Sequence, residues 1–151
     1  MNPERLCYGC FQEKEPGSIC PHCGFKENEE QPYLALPLGT LLNGRYMLGK
    51  VLGIGGFGIT YLAFDLTLEI KVAIKEYMPS SIVTRSADRY NVTLTGRVEE
   101  DYQYGMERFL DEAKILARLQ NTPNIVSVQN YFKENSTAYF VMEYIDGMSL
   151  K

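Results

Sequence analysis

The sequence predicts an α+β fold: a five-stranded antiparallel sheet with one main helix, preceded by a small four-cysteine unit. Three observations predict it. All four cysteines, Cys7 to Cys23, fall at the head of the chain as two Cys-x-x-Cys pairs. After Asn43-Gly44, short runs rich in alternating apolar residues flank a glycine-rich turn, as strands do. Residues 102–120 carry Phe109, Ile115, Leu116 and Leu119 at helical spacing, and Ala113 and Ala117 add propensity.

Composition bounds the rest. A chain of 151 residues with 45 % apolar content is too hydrophobic for wholesale disorder and suits one medium domain plus a tiny one. A net charge of -4 argues against a nucleic-acid surface. No run approaches the roughly 20 apolar residues of a membrane span. Met1-Asn2-Pro3-Glu4-Arg5 lacks the apolar core of a signal peptide, so a cytoplasmic protein is expected.

Residues 1–26 read as a zinc ribbon. Cys7-x-x-Cys10 and Cys20-x-x-Cys23 can present four thiolates to one tetrahedral ion. So few apolar residues cannot fold by burial alone, so the metal would supply the folding energy. Zinc is the first choice and iron the second, since sulfur ligation does not separate them. Four thiolates leave no open position for zinc catalysis and leave His22 to solvent. Such a unit could dock a protein partner; the acidic run Glu27-Asn28-Glu29-Glu30 disfavours nucleic acid.

Residues 27–44 form a linker whose Pro32 and Pro37 interrupt any helix. Its many leucines imply packing on the next domain, which begins at 45 and runs to 151. There Arg45–Leu52, Ile59–Phe64 and Ile70–Glu76 read as three strands, the last two joined by a hairpin at Asp65–Glu69. The helix follows, and Asn121-Thr122-Pro123-Asn124 stop it. Ile125–Tyr131 and Thr137–Tyr144 complete the five strands.

The chemistry sits at the first turn. Gly53, Gly55 and Gly58 let a hairpin lie close over phosphate groups, with Gly56 adding freedom at the tip and backbone amides meeting the oxygens. Phe57 fits either a cover over the phosphates or an exposed tip aromatic. A strand, not a helix, follows the glycines, which argues against a dinucleotide fingerprint. Val51 and Ala63 fit positions above and below an adenine ring. Lys75 ends an apolar run, and a buried ammonium there needs an anion. Glu112 is the best partner, with Asp111 or Glu107 the alternatives.

In this order, Gly53-x-Gly55-x-x-Gly58-x-Thr60, Val72-Ala73-Ile74-Lys75, Glu112 and Met142-Glu143-Tyr144 resemble the N-terminal lobe of eukaryote-like protein kinases, bacterial Ser/Thr kinases in particular. The resemblance covers residues 45–151. It implies that the loop covers ATP, that Lys75 contacts the α and β phosphates, and that Glu112 orients Lys75. Ala73 joins the nucleotide set, Met142 matches the position beside the adenine pocket, and Glu143 and Ile145 match the hinge. A full kinase would transfer the γ-phosphoryl group, with magnesium, to Ser or Thr.

Two departures follow. The stretch between Lys75 and Glu112 is longer than the family usually carries, and Tyr90–Gly96 alternates like an added strand; Arg85 and Arg89 there read as solvated charge or as phosphate partners. The family's catalytic Asp and magnesium-binding residues belong to a C-lobe beyond Lys151. These residues alone are therefore expected to be inactive, and self-association is expected to cover an apolar underside at Met142, Tyr144, Ile145 and Met148. The alternative is a stand-alone zinc-ribbon module that binds nucleotide or protein without catalysis.

Overall fold

The computed structural model describes residues 5–15, 19–26, 31–119 and 127–144. The acidic run, the helix stop, Ile145 and Met148 lie outside the described residues. Local chemistry sets the first turns. Asn43 and Gly44 adopt φ of 54° and 62°, a region these two residues enter at least cost. They reverse the chain between β1 (Leu41–Leu42) and β2 (Tyr46–Ile54). β3 (Gly58–Asp65) and β4 (Ile70–Tyr77) follow. Asp65 holds their connection: its Oδ1 accepts from the N–H groups of Thr67 and Leu68 at 2.9 and 3.1 Å, and Arg45 grips both carboxylate oxygens. Burial opposes the Asp65 carboxylate, but Arg45 and these N–H groups outweigh it and hold its pKa below the usual value.

The remaining elements are β5 (Val83–Arg85), β6 (Val92–Leu94), α1 (Glu99–Arg118), β7 (Val128–Glu134) and β8 (Thr137–Glu143). The five strands read from the sequence form one antiparallel sheet, to which β1 adds a short sixth; the order is β1-β2-β3-β4-β8-β7. The stretch between β4 and α1 folds as its own hairpin, β5-β6.

Partners directly across an antiparallel pair share a face. Thr60 lies across from Lys75, Leu62 from Ala73, Ala73 from Met142, and Lys75 from Phe140. These define one face. Tyr61, Ala63, Val72, Ile74, Glu76, Tyr139 and Val141 define the other.

α1 seats on the Lys75 face. Its buried residues are Tyr102, Met106, Phe109 and Ala113, a stripe of helical period. The Phe109 ring lies 4.9 Å from that of Phe140 and 5.6 Å from that of Tyr77. This corrects part of the helical reading: Ile115 and Leu119 are 54 % and 38 % exposed. The seam is set by the aromatic residues earlier in the helix. Acidic Glu99, Glu100 and Asp101 in the first turn complement the helix dipole where Val98 offers no side-chain cap.

The opposite face is covered by residues 34–36 and by Val83 and Val92 of the hairpin. A charged cluster lies beneath them. Arg85 donates to both oxygens of Glu76, at 3.0 and 2.7 Å, and also to the carbonyls of Leu34 and Tyr90. Tyr61 and Tyr139 donate to the same carboxylate at 2.8 and 2.6 Å. Tyr61 in turn accepts from the Leu36 N–H. This corrects the reading of Arg85, which is 8 % exposed and serves as an internal tie rather than a solvated or phosphate-binding charge.

The cysteine unit packs on the sheet. Its Leu6 and Phe11 form a cluster with Met47, Leu62 and Phe64, against which Leu52 and Tyr144 also pack. The Lys50 N–H donates to the Tyr8 carbonyl at 2.8 Å. Only glycine fits at position 49, because a Cβ there would fall on the Tyr8 carbonyl oxygen and 2.8 Å from Phe11 Cζ. Just upstream along β2, Gly39 and Leu48 exchange main-chain bonds with their neighbours: Gly39 N–H to Leu48 O and Leu48 N–H to Thr40 O, each 2.8 Å. Among the described residues, no helix is long and apolar enough to cross a membrane.

Candidate nucleotide site and metal centre

The glycine turn joins β2 to β3. Past two register shifts, at Leu48–Val51 and Val51–Gly53, Gly53 pairs with Thr60 and Ile54 with Ile59, so the last two pairs before the turn are in register. Gly55 closes it by donating to the Gly58 carbonyl at 2.9 Å. The tip is tied on one side only. Met78 N–H donates to the Phe57 carbonyl and Ser80 N–H to that of Gly56, at 2.9 and 3.1 Å. Around Gly55 and Gly56 a Cβ would meet nothing within 4 Å, so their outer side is open. Phe57 is 78 % exposed.

Lys75 projects from β4 beneath this turn. Its Nζ lies 4.0 Å from Glu112 Oε1 and 5.9 Å from the centre of the Phe140 ring. The pair is solvated, with side chains 34 % and 52 % exposed, so its worth to stability is small. Lys75, Glu112, Phe57, Tyr77, Ile115 and Leu116 line a cavity of about 1050 Å³ between the turn, residues 79–82 and α1. Asp111, the alternative partner, also lines it. Ile115 and Leu116, read as helix core in the sequence, thus face this cavity.

The predicted adenine positions divide. Ala73 and Met142 lie across from each other on the Lys75 face, fully buried and 9 % exposed. Ala63 does not join them: it is fully buried and pairs with Val72 on the opposite face. Val51 lies across from Tyr61 and lines a groove with Cys23, Phe25 and Pro32. A one-residue step along a strand reverses the face, and the bulge in β2 adds another. Thr60, across from Lys75, is the half-buried residue the adenine reading passed over. Counting in twos from Lys75 and across the pair would have found it. Glu143 accepts from the Ser127 N–H at 3.2 Å through its side chain and donates to the Ser127 carbonyl. Ile145 lies outside the described residues. Met142 and the half-buried Tyr144, whose ring meets the Lys71 ammonium at 5.6 Å, leave little apolar surface on the described part of the expected underside.

A family model for the protein kinase domain matches residues 46–151. The chain belongs to the protein kinase domain family. It corresponds to the N-terminal, nucleotide-binding lobe. It is 34 % identical over 114 residues to the serine/threonine-protein kinase PrkC of Bacillus subtilis, covering 76 % of this chain and 15 % of that protein. It is 30 % identical over 139 residues to serine/threonine-protein kinase B of Synechocystis, covering 88 % of this chain and 22 % of that protein. Among solved structures, the apo form of PpkA-294 superposes with a TM-score of 0.70 at 38 % identity, over 74 % of this chain and 39 % of that one. The chain therefore spans well under half the length of each of these relatives.

The kinase lobe carries a second centre. The Sγ atoms of Cys7, Cys10, Cys20 and Cys23 all lie within 4.8 Å of one another. Cys7–Cys23 and Cys10–Cys20 are 3.6 and 3.7 Å apart. A tetrahedron with metal–sulfur bonds of about 2.3 Å has edges of about 3.8 Å, so the donor set fits a structural metal. Each knuckle is a tight turn: Phe11 N–H donates to Cys7 O and Gly24 N–H to Cys20 O, at 2.6 and 2.8 Å. Gly9 and His22 N–H groups point at the Cys7 and Cys20 sulfurs, at 3.2 and 3.4 Å. Burial pushes the Cys10 thiol up to about 12. Burial also opposes the Cys20 thiolate, but the N–H groups of His22 and Cys23 outweigh it and bring its pKa down to about 6. Metal loading would displace protons from the higher-pKa thiols.

Proposed function

We propose that this lobe binds MgATP and serves a Ser/Thr protein kinase by holding the triphosphate for transfer of its γ-phosphoryl group. One observation supports the reading above others: Lys75 and Glu112 meet at 4.0 Å in a cavity to which the glycine turn contributes Phe57. Backbone amides of Gly56 and Phe57 would meet phosphate oxygens, Lys75 the α and β phosphates, and Glu112 would hold Lys75 in place. Ala73, Thr60 and Met142 would border the base, and the hinge at Glu143 and Ile145 would meet its edge. Magnesium would neutralise phosphate charge, but its ligands and the catalytic base belong to a second lobe, the principal partner in this reading. The four thiolates would hold zinc. The outer side of the ribbon suits a protein partner, and the location is read as cytoplasmic.

Titration of MgATP into the isotope-labelled chain, followed by NMR, tests the reading. The amides from Gly53 to Gly58 should shift, and K75A should weaken the response several-fold. Unshifted amides at millimolar MgATP would overturn the assignment. The same 151 residues should transfer no phosphoryl group by themselves. Radiolabel transfer from γ-labelled ATP that K75A abolishes would refute that part.

A further inference from the structure

α1 carries a glycine in its interior, Gly105, at a place where that residue weakens a helix. The reason lies across the interface. A Cβ built there would fall on the Tyr77 hydroxyl oxygen and 3.0 Å from its Cζ. The tyrosine has no room to yield. It is 3 % exposed, with the Tyr102 and Phe109 rings at 5.2 and 5.6 Å. Its hydroxyl donates to the Tyr102 carbonyl at 3.0 Å, and its own carbonyl accepts from the buried Thr137 hydroxyl. The ring is therefore a fixed stop on which α1 rests.

The stop stands beside the ion pair. Tyr77 follows Lys75 by two residues on β4, so both side chains leave the same face. Gly105 precedes Glu112 by two helical turns on α1, so both lie on the side turned toward β4. A change in how closely α1 seats at Gly105 is carried along a rigid helix to Glu112. We propose that the Tyr77–Gly105 contact is a positioning device: it sets the seating distance of α1 on β4 and thereby keeps Glu112 within reach of Lys75. Its link to nucleotide binding rests on the reading of Lys75 and Glu112 given above.

Four variants test this: G105A, Y77F, their combination, and E112A. Crystal structures give the Lys75 Nζ to Glu112 Oε1 separation, which a purely structural role would leave unchanged even where the melting temperature falls. G105A should lengthen it by more than 1 Å, because the added methyl meets the phenol oxygen. Y77F/G105A, in which that oxygen is absent, should bring it back toward the 4.0 Å of the parent. MgATP affinity should follow, falling up to about five-fold in G105A, the ceiling for so exposed a pair, and recovering in the double variant. If G105A does not fold, recovery of folding in Y77F/G105A supports the stop. An unchanged separation in G105A, or no recovery in the double variant in either folding or separation, overturns the proposal. E112A separates the two levels. If it leaves MgATP affinity intact while the separations behave as stated, the nucleotide role of the pair fails and the positioning device stands.

Discussion

Glu76 has each carboxylate oxygen shared between an Arg85 N–H and a tyrosine hydroxyl. Among the described residues, no buried side-chain nitrogen or oxygen is left without a partner. R85A would strand the carboxylate and should cost about 3–5 kcal/mol in urea unfolding, whereas E76Q/R85M should cost less than the single change. A single change that costs under about 1 kcal/mol would sink this account of the cluster. Burial first, and then the Glu76 charge, push the Tyr61 and Tyr139 phenols far above their ordinary range; burial takes Tyr77 to about 12. The native state thus favours the protonated phenols. That stability is intact below about pH 10 and is lost as pH rises through the native values. In an alkaline absorbance titration, Tyr61 and Tyr139 should ionise only as the chain unfolds, and Y61F and Y139F should shrink that late step. All 11 tyrosines ionising while the circular dichroism stays native would contradict it. The sequence marked Lys75 and Glu112 because Lys75 ends an apolar run, although the pair it forms at 4.0 Å is solvated rather than buried. Arg85 was not legible. Its partner carboxylate lies nine positions earlier on another strand, and no local pattern reports such a meeting.

Alternation placed the strands, and the cysteine spacing placed the two knuckles, because both are local rules. What alternation did not give was the phase of each strand relative to its neighbour. β2 shifts register between Leu48 and Val51 and again between Val51 and Gly53, which no local pattern marks for Val51; Ala63 pairs with Val72 one step out of phase with the Lys75 face. The helix read true in type and length, but its buried seam begins at Tyr102, where the aromatic rings of β4 and β8 receive it. The cysteine unit is the element whose integrity rests most on chemistry rather than burial. C20S should abolish stoichiometric metal binding, measured by elemental analysis. It should also lower the melting temperature by about 5 °C or more, since Leu6 and Phe11 would leave Met47, Leu62 and Phe64 uncovered. Full metal content in C20S would show that the four sulfurs are not one site.

As a whole, the molecule is a sheet clad on both faces by pieces from far apart in the chain. Residues 34–36 and the β5–β6 hairpin cover one face; α1 and the cysteine unit share the other. Little of this tertiary arrangement was legible, since the sequence marked the cysteine unit but not where it seats, and implied that the linker packs on the next domain but not on which face. The pairing along β2 carries a final consequence. Where β1 ends, the strand's outer main-chain groups are taken up by Gly39, Thr40 and Tyr8 rather than by another strand. The metal-held unit, together with the linker, is thus a stopper against polymerisation: its Tyr8 carbonyl occupies the Lys50 N–H, and Gly39 and Thr40 occupy Leu48, groups that would otherwise recruit a strand from a second molecule. Chelation should therefore do more than loosen the head of the chain. It should convert a dispersed protein into one that assembles edge to edge, seen as concentration-dependent light scattering with a gain of β-sheet signal. Lys50→Pro, which removes the donor that loss of Tyr8 uncovers, should slow that assembly.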